Sequence, residues 1–258
     1  MASERSMAIA SSGSVFFAVI AAILIYIACA GEDTDDGYLG GFNADHLFSY
    51  HPFFMTFGMI TCSIMALNSY ALLPMDHKAQ KFIHVLFHSF AIICFGIGLH
   101  FVVSNHNGNN PAGKFTANLY SMHSWCGLAA MVIYAQNYLM GFFAFVTTMP
   151  KLRFVKDYMP SHLKLGIFSL TLSMAAVISG ISELSACAYT VDSADTNPAS
   201  HYANDMNNGC KLLQGGGICV LAAVLLSLYS LIPDKAIHEN TEDTYNEGHK
   251  HNIESPLI

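Results

Sequence analysis

Residues 82–103 read FIHVLFHSFAIICFGIGLHFVV, a run of 22 with no Asp, Glu, Lys, Arg or Pro. A helix rising about 1.5 Å per residue would carry this run across a hydrocarbon core of about 30 Å. A membrane strand would be far shorter and would alternate apolar and polar residues, which this run does not. In lipid an unpaired backbone group is costly, so a continuous apolar run of this length is read as a helix that satisfies its own N–H and C=O groups.

Five further windows have the same character, over residues 15–30, 51–73, 123–146, 162–184 and 212–232. The composition agrees: 53% of the 258 residues are hydrophobic and 11% are charged, against about 25% charged in an ordinary soluble domain. The expected fold is an all-α membrane protein with six transmembrane helices. The whole of 1–258 reads as one domain with a core over about 50–184, and the polar segment 234–258, with His238, His249 and His251, reads as a disordered tail. Ala28-Cys29-Ala30 resembles a small-residue cleavage site, but the first span is read as a retained helix.

Six spans place both termini on one face, called the inner face here. It carries Arg5, Lys78, Lys81, Lys151, Arg153, Lys156, Lys235 and Lys250, with Lys164 just inside the fifth window. The opposite, outer face carries only Lys114 and Lys211. By the positive-inside rule both termini are expected in the cytoplasm. The basic residues thus follow a membrane rule, and nucleic acid binding is not indicated. Cys62, Cys94, Cys126 and Cys219 fall inside spans as packing residues, whereas Cys187 and Cys210 lie at the last outer loop and are placed to form a disulfide, with Cys29 as a competitor.

Ionisable residues inside a membrane each need a reason. His51, His84, His123 and His162 stand near the starts of four successive windows. Any one of them alone reads as a helix-end histidine satisfied by local hydrogen bonds. As a set they pair by topology. The second and fourth helices start outside, which puts His51 and His123 in the outer half; the third and fifth start inside, which puts His84 and His162 in the inner half. Two imidazoles from facing helices at one depth are the ligands of a bis-histidine haem. A central four-helix bundle of helices 2–5 would then hold two b-type haems, one per leaflet. A zinc site is a poorer reading, because two histidines with no carboxylate or thiol at their depth make an incomplete donor set. A histidine-based metal-ion or proton transporter without haem is the alternative from another class, with Gln136 and Asn137 as the main polar residues in mid-span. His88, one turn after His84, is an alternative ligand; His77 reads as solvated and His100 as a helix-end residue.

The residues also resemble the cytochrome b561 family. The motif Asn118-Leu119-Tyr120-Ser121-Met122-His123-Ser124-Trp125 is similar to that family's signature before its fourth helix. His51-Pro52 with Met55 and Gly58, Lys81-Phe82-Ile83-His84, and Pro160-Ser161-His162 with Gly166 match its second, third and fifth helices. The resemblance covers roughly 50–183 and assigns the inner ligand to His84. It implies an ascorbate-dependent transmembrane reductase with two haem b groups and the lipid bilayer as its setting. Ascorbate would donate on the cytoplasmic side, near Lys78, Lys81, Lys151, Arg153 and Lys156. Monodehydroascorbate or a ferric chelate would accept on the other side, near His106, Asn107 and Asn110. The family also suggests a homodimer. Many members carry a tyrosine–arginine pair at the inner end of the second helix, where this chain has Tyr70-Ala71; a glutamate–lysine pair that often ends the fifth helix is here Glu183-Leu184.

Overall fold

The computed structural model describes residues 2–34, 36–110, 112–147, 152–184 and 207–231. Its helices are α1 (Ala2–Ala30), α2 (Tyr50–Met55), α3 (Ser63–Leu72), α4 (His77–His106), α5 (Met122–Phe145), α6 (Leu152–Glu183) and α7 (Asn208–Leu231). A 3-10 turn, Leu47–Ser49, leads into α2, and a π-helical stretch, Thr56–Cys62, joins α2 to α3. These four pieces form one span, Leu47–Leu72, so among the described residues six helices are long and apolar enough to cross a membrane. Among the described residues the only β pairing is a single bridge between Asn107 and Phe115.

The spans pack as three antiparallel pairs: α1 with α7, α2–α3 with α4, and α5 with α6. Contact between α4 and α5 is sparse. Two tight pairs therefore face each other across a looser seam, and that seam carries the four histidines. Small residues let the backbones approach within each pair, as they do in membrane helix dimers. Gly58 in the π stretch is an example: a Cβ there would lie 2.6 Å from the Cβ of Cys94 on α4.

The α1–α7 pair flanks this four-helix centre and is bonded to it. Thr61 Oγ1 donates to the Ala18 carbonyl at 3.0 Å, and the Asn68 side-chain amide donates to Ser14 Oγ at 3.1 Å. Ile60, Ile64, Ala18, Ala21, Val220 and Val224 close the core around these bonds. The first helix is thus an integral packing element of the bundle. On the outer side, Asp36 closes the loop after α1 onto the start of α7. Its carboxylate accepts from the Asn208 backbone N–H at 3.0 Å and from the Asn208 side-chain amide at 2.9 Å.

Two sequence expectations shift. The helices α4 and α6 begin at His77 and Leu152, well before the windows that open at residues 82 and 162. Hydropathy marks the part of a helix that lies in lipid, and a run such as His77-Lys78-Ala79-Gln80-Lys81 continues the same helix into the polar zone. His84 and His162 consequently sit about two and three turns inside their helices. His106 is the last residue of α4.

Cys29, Cys62, Cys94, Cys126 and Cys219 are free thiols, so Cys29 is not a disulfide partner. Cys210 is disulfide-bonded. Cys187 and the tail lie outside the described residues.

Candidate functional site

His123 is placed by a helix cap. Ser121 Oγ accepts from the Ser124 backbone N–H at 3.3 Å, which fixes the start of α5 and sets His123 in its first turn. His51 enters α2 one residue before Pro52, and proline is tolerated in a first helical turn. The two rings lie with centroids 6.0 Å apart and planes at 89°. On the other side of the seam, His84 and His162 have centroids 6.5 Å apart and planes at 62°. Two imidazoles bonded from opposite sides to one metal ion, each at about 2 Å, hold their ring centroids about 6 Å apart. Both pairs have this spacing.

Each ring also has one nitrogen engaged. His51 Nδ1 donates to the Gly98 carbonyl at 3.1 Å, His123 Nδ1 to Ala176 O at 2.7 Å, and His84 Nδ1 to Ala66 O at 3.0 Å. His162 Nδ1 donates to Asn137 Oδ1 at 3.0 Å, and the Asn137 amide donates back to the His162 carbonyl at 3.0 Å. An Nδ1–H held by an oxygen fixes the tautomer and leaves Nε2 as the basic nitrogen, the usual arrangement behind a metal-bound histidine.

Space for the rings comes from glycine. A Cβ on Gly180 would lie 2.7 Å from both Cε1 and Nδ1 of His123, and one on Gly141 would lie 2.7 Å from Cε1 of His162. The outer pair opens into a cavity of about 440 Å³, lined mainly by apolar side chains such as Met55, Met59, Leu99, Val102, Leu128 and Met131. That size falls within the range of cofactor and small-molecule sites. Donor spacing, tautomer and apolar walls all suit a flat, hydrophobic, bis-histidine-ligated group. They suit a free metal ion poorly: among the described residues no three His, Cys, Asp or Glu side chains converge on a common point.

His88 is committed elsewhere. Its ring meets that of His84 edge-on with centroids 4.4 Å apart, and its Nδ1 pairs with the Tyr134 hydroxyl. Ser63 Oγ donates to the same hydroxyl at 3.1 Å. Tyr134 is buried among Met59, Cys62, Ala91 and Ala130, between the two histidine pairs.

A family comparison decides what this arrangement belongs to. The family model described as eukaryotic cytochrome b561 matches residues 50–187, just over half of the chain and all four paired histidines. The chain belongs to the eukaryotic cytochrome b561 family. A curated relative from Zea mays, "Ascorbate-specific transmembrane electron transporter 2", is 32% identical over 136 residues, which are 52% of this chain and 55% of that protein. A human transmembrane ascorbate-dependent reductase is 32% identical over 57% of each chain. "Transmembrane ascorbate ferrireductase 1" of Arabidopsis thaliana is 29% identical over 64% of this chain and 67% of its own length. The chain thus spans little more than half the length of the first two of these relatives.

Within the cytochrome b561 frame the remaining predicted site residues fall into two groups. At the outer mouth, His106 Nδ1 pairs with Asn118 Oδ1 at 2.9 Å, and both residues line the cavity. Asn110 instead closes its own loop, with its amide donating to the carbonyls of Asn105 and Lys114. Asn107 caps α4 and bridges to Phe115. At the inner end, Lys81 Nζ donates to the Phe145 carbonyl at 3.0 Å, tying α4 to the end of α5. Lys78 and Lys156 are exposed. Lys151 lies outside the described residues, and Arg153 is described only as a backbone position in α6. Tyr70 stands between His77 and His84, with ring centroids at 5.5 and 5.3 Å.

Sequence reasoning did not assign Asn137, Gly141 and Gly180 to the site. Asn137 carried a visible signal as a polar residue in mid-span, and its partner is His162.

Proposed function

We propose that this chain is a transmembrane reductase that binds two haem b groups and moves electrons from ascorbate on the inner face to an acceptor on the outer face. The observation that carries the reading is the pair of histidine couples, 6.0 and 6.5 Å between centroids, at opposite ends of one seam. His51 and His123 would ligate one haem through Nε2, and His84 and His162 the other. Haem b bound in this way supplies one-electron redox chemistry without an open coordination position.

The protein's own contribution is to orient and to insulate. The carbonyls of Gly98, Ala176 and Ala66 and the amide of Asn137 hold the four rings and make their free nitrogens better donors. The apolar cavity walls keep water from the outer pair. At the inner end Lys78, Lys81, Lys151, Arg153 and Lys156 supply the positive charge that draws an anionic donor such as ascorbate. At the outer mouth His106 and Asn118 offer hydrogen-bonding and ligating groups to the acceptor, either monodehydroascorbate or a ferric chelate. The basic inner face is read as cytoplasmic. Cys187 is the partner proposed for Cys210.

The test is reduction of the purified protein by ascorbate and by dithionite, followed optically. Lys81→Ala combined with Lys156→Ala is expected to slow reduction by ascorbate about tenfold, as loss of electrostatic steering does, while dithionite still reduces the protein fully. Unchanged ascorbate kinetics would remove the basic donor site from the account.

A further inference from the structure

His88 lies one turn after His84 on the same helix, so α4 offers two imidazoles at the inner site where a bis-histidine haem takes one. The two rings meet edge-on with centroids 4.4 Å apart. His88 also lies within electrostatic reach of His162 across the seam. Ligation by His88 in place of His84 would draw the inner haem about 6 Å deeper, at about 1.5 Å of rise per residue, away from the donor at the inner face. Proximity alone does not exclude that register.

Hydrogen bonding does. A neutral imidazole has one nitrogen that carries hydrogen and one that holds a lone pair, and only the second binds a metal. The four paired histidines keep hydrogen on Nδ1, against oxygens that can only accept. His88 faces a different partner, the Tyr134 hydroxyl, which can donate or accept. A third group sets the direction. Ser63 Oγ donates to that hydroxyl at 3.1 Å, which leaves the tyrosine hydrogen for His88 Nδ1. Run in the opposite sense, the chain would end on the bond from Ser63 Oγ to the Gly58 carbonyl, whose 3.5 Å is at the limit of hydrogen bonding. With Nδ1 accepting, the hydrogen of His88 resides on Nε2. Ser63 and Tyr134 are both buried. A misdirected hydroxyl there has no water to turn to, so the other tautomer is disfavoured roughly tenfold or more.

We propose that Ser63 and Tyr134 form a tautomer lock that disqualifies His88 as a haem ligand and so fixes the register of the inner haem on His84. This rests on the reading of the chain as a haem-binding reductase. Both are positioning residues, since they act through His88. The lock involves no gain or loss of charge: the two tautomers are equally neutral and differ only in which nitrogen is free to bind iron.

The test combines haem content per chain with nitrogen NMR of the histidine rings, on the purified full chain in detergent with its haem reduced. In the wild type the His88 signals, identified by their loss in His88→Gln, should show hydrogen on Nε2 and a bare Nδ1. Tyr134→Phe keeps the ring but removes the hydroxyl, and should abolish the preference for Nε2. His84→Ala should bind the outer haem alone, because His88 stays locked. Adding Tyr134→Phe to His84→Ala should restore a second, low-spin haem, and adding His88→Leu as well should remove it again. The outer haem, retained throughout, reports that each variant has folded. Hydrogen on Nδ1 of His88 in the wild type, a second low-spin haem in His84→Ala with Tyr134 intact, or no recovery in the double variant would each overturn the lock. A wild-type chain without haem would defeat the reductase reading instead, and the tautomer of His88, which NMR reads without haem, would still decide whether Tyr134 sets it.

Discussion

His123 and His162 each sit against a glycine on the facing helix, and this contact is the most sensitive point of either site. Gly180→Ala places a methyl group where the His123 ring stands, with 2.7 Å to two ring atoms. Neither the ring nor the backbone of α6 can yield without breaking the 2.7 Å bond from His123 to Ala176. The variant is expected to lose the outer haem and keep the inner one, as read from haem content per chain. Asn137→Leu removes the only side-chain acceptor in the four Nδ1 bonds. Loss of such a partner typically weakens metal affinity about 10- to 100-fold, so this variant should release the inner haem more readily on dilution. The four histidines were legible in the sequence because an ionisable residue inside a span demands an explanation. Three of the four Nδ1 acceptors were not, because they are backbone carbonyls and every residue has one. The two glycines were equally silent, since a glycine in an apolar run shows only which neighbour it clears once the helices are packed.

At the level of elements, the number of spans and the pairing of the histidines could be read from hydropathy and the alternation of direction. The helix starts could not. Polar residues such as Lys78 and Lys81 mark where lipid ends, and nothing at those positions stops the helix. The π-helical stretch was also hidden, because Thr56–Cys62 has the composition of the α-helix on either side. Its consequence is close approach to α4 at Gly58. Docking of α1 depends on two buried hydrogen bonds from the second span. Asn68→Leu removes the bond to Ser14, and membrane hydrogen bonds of this kind contribute about 0.6 kcal/mol and at most about 1.7 kcal/mol. A stability loss in that range, measured by thermal unfolding in detergent, is expected. Asp36 adds a dependence on pH outside the membrane. The backbone N–H of Asn208, then its side-chain amide, hold the Asp36 carboxyl below its ordinary value of 3.8. A depressed value means that this contact stabilises fully above the ordinary value and is lost as the pH falls through the folded one. Protection of the Asn208 amide against hydrogen exchange, relative to its intrinsic rate, should therefore drop below about pH 4, and Asp36→Ala should remove the protection at every pH.

The whole molecule joins a basic inner end and an acidic outer end through one seam that holds a histidine couple near each face. The two couples are built from different helices: the second and fourth spans make the outer one, and the third and fifth make the inner one. Loss of one couple should leave the other intact. The seam is loose because α4 and α5 pack sparsely, and its outer end opens into the cavity beside His51 and His123, while α1 and α7 carry much of the bundle's core packing. The most direct measurement is haem per chain, from the reduced-minus-oxidised absorption spectrum of the purified protein and its His123→Ala variant. Two b-type haems in the wild type and one in the variant, with the remaining one still reduced by ascorbate, is the expected result. One haem or none in the wild type, or loss of both on removing His123, would contradict the assignment of the two histidine couples to two independent haem sites.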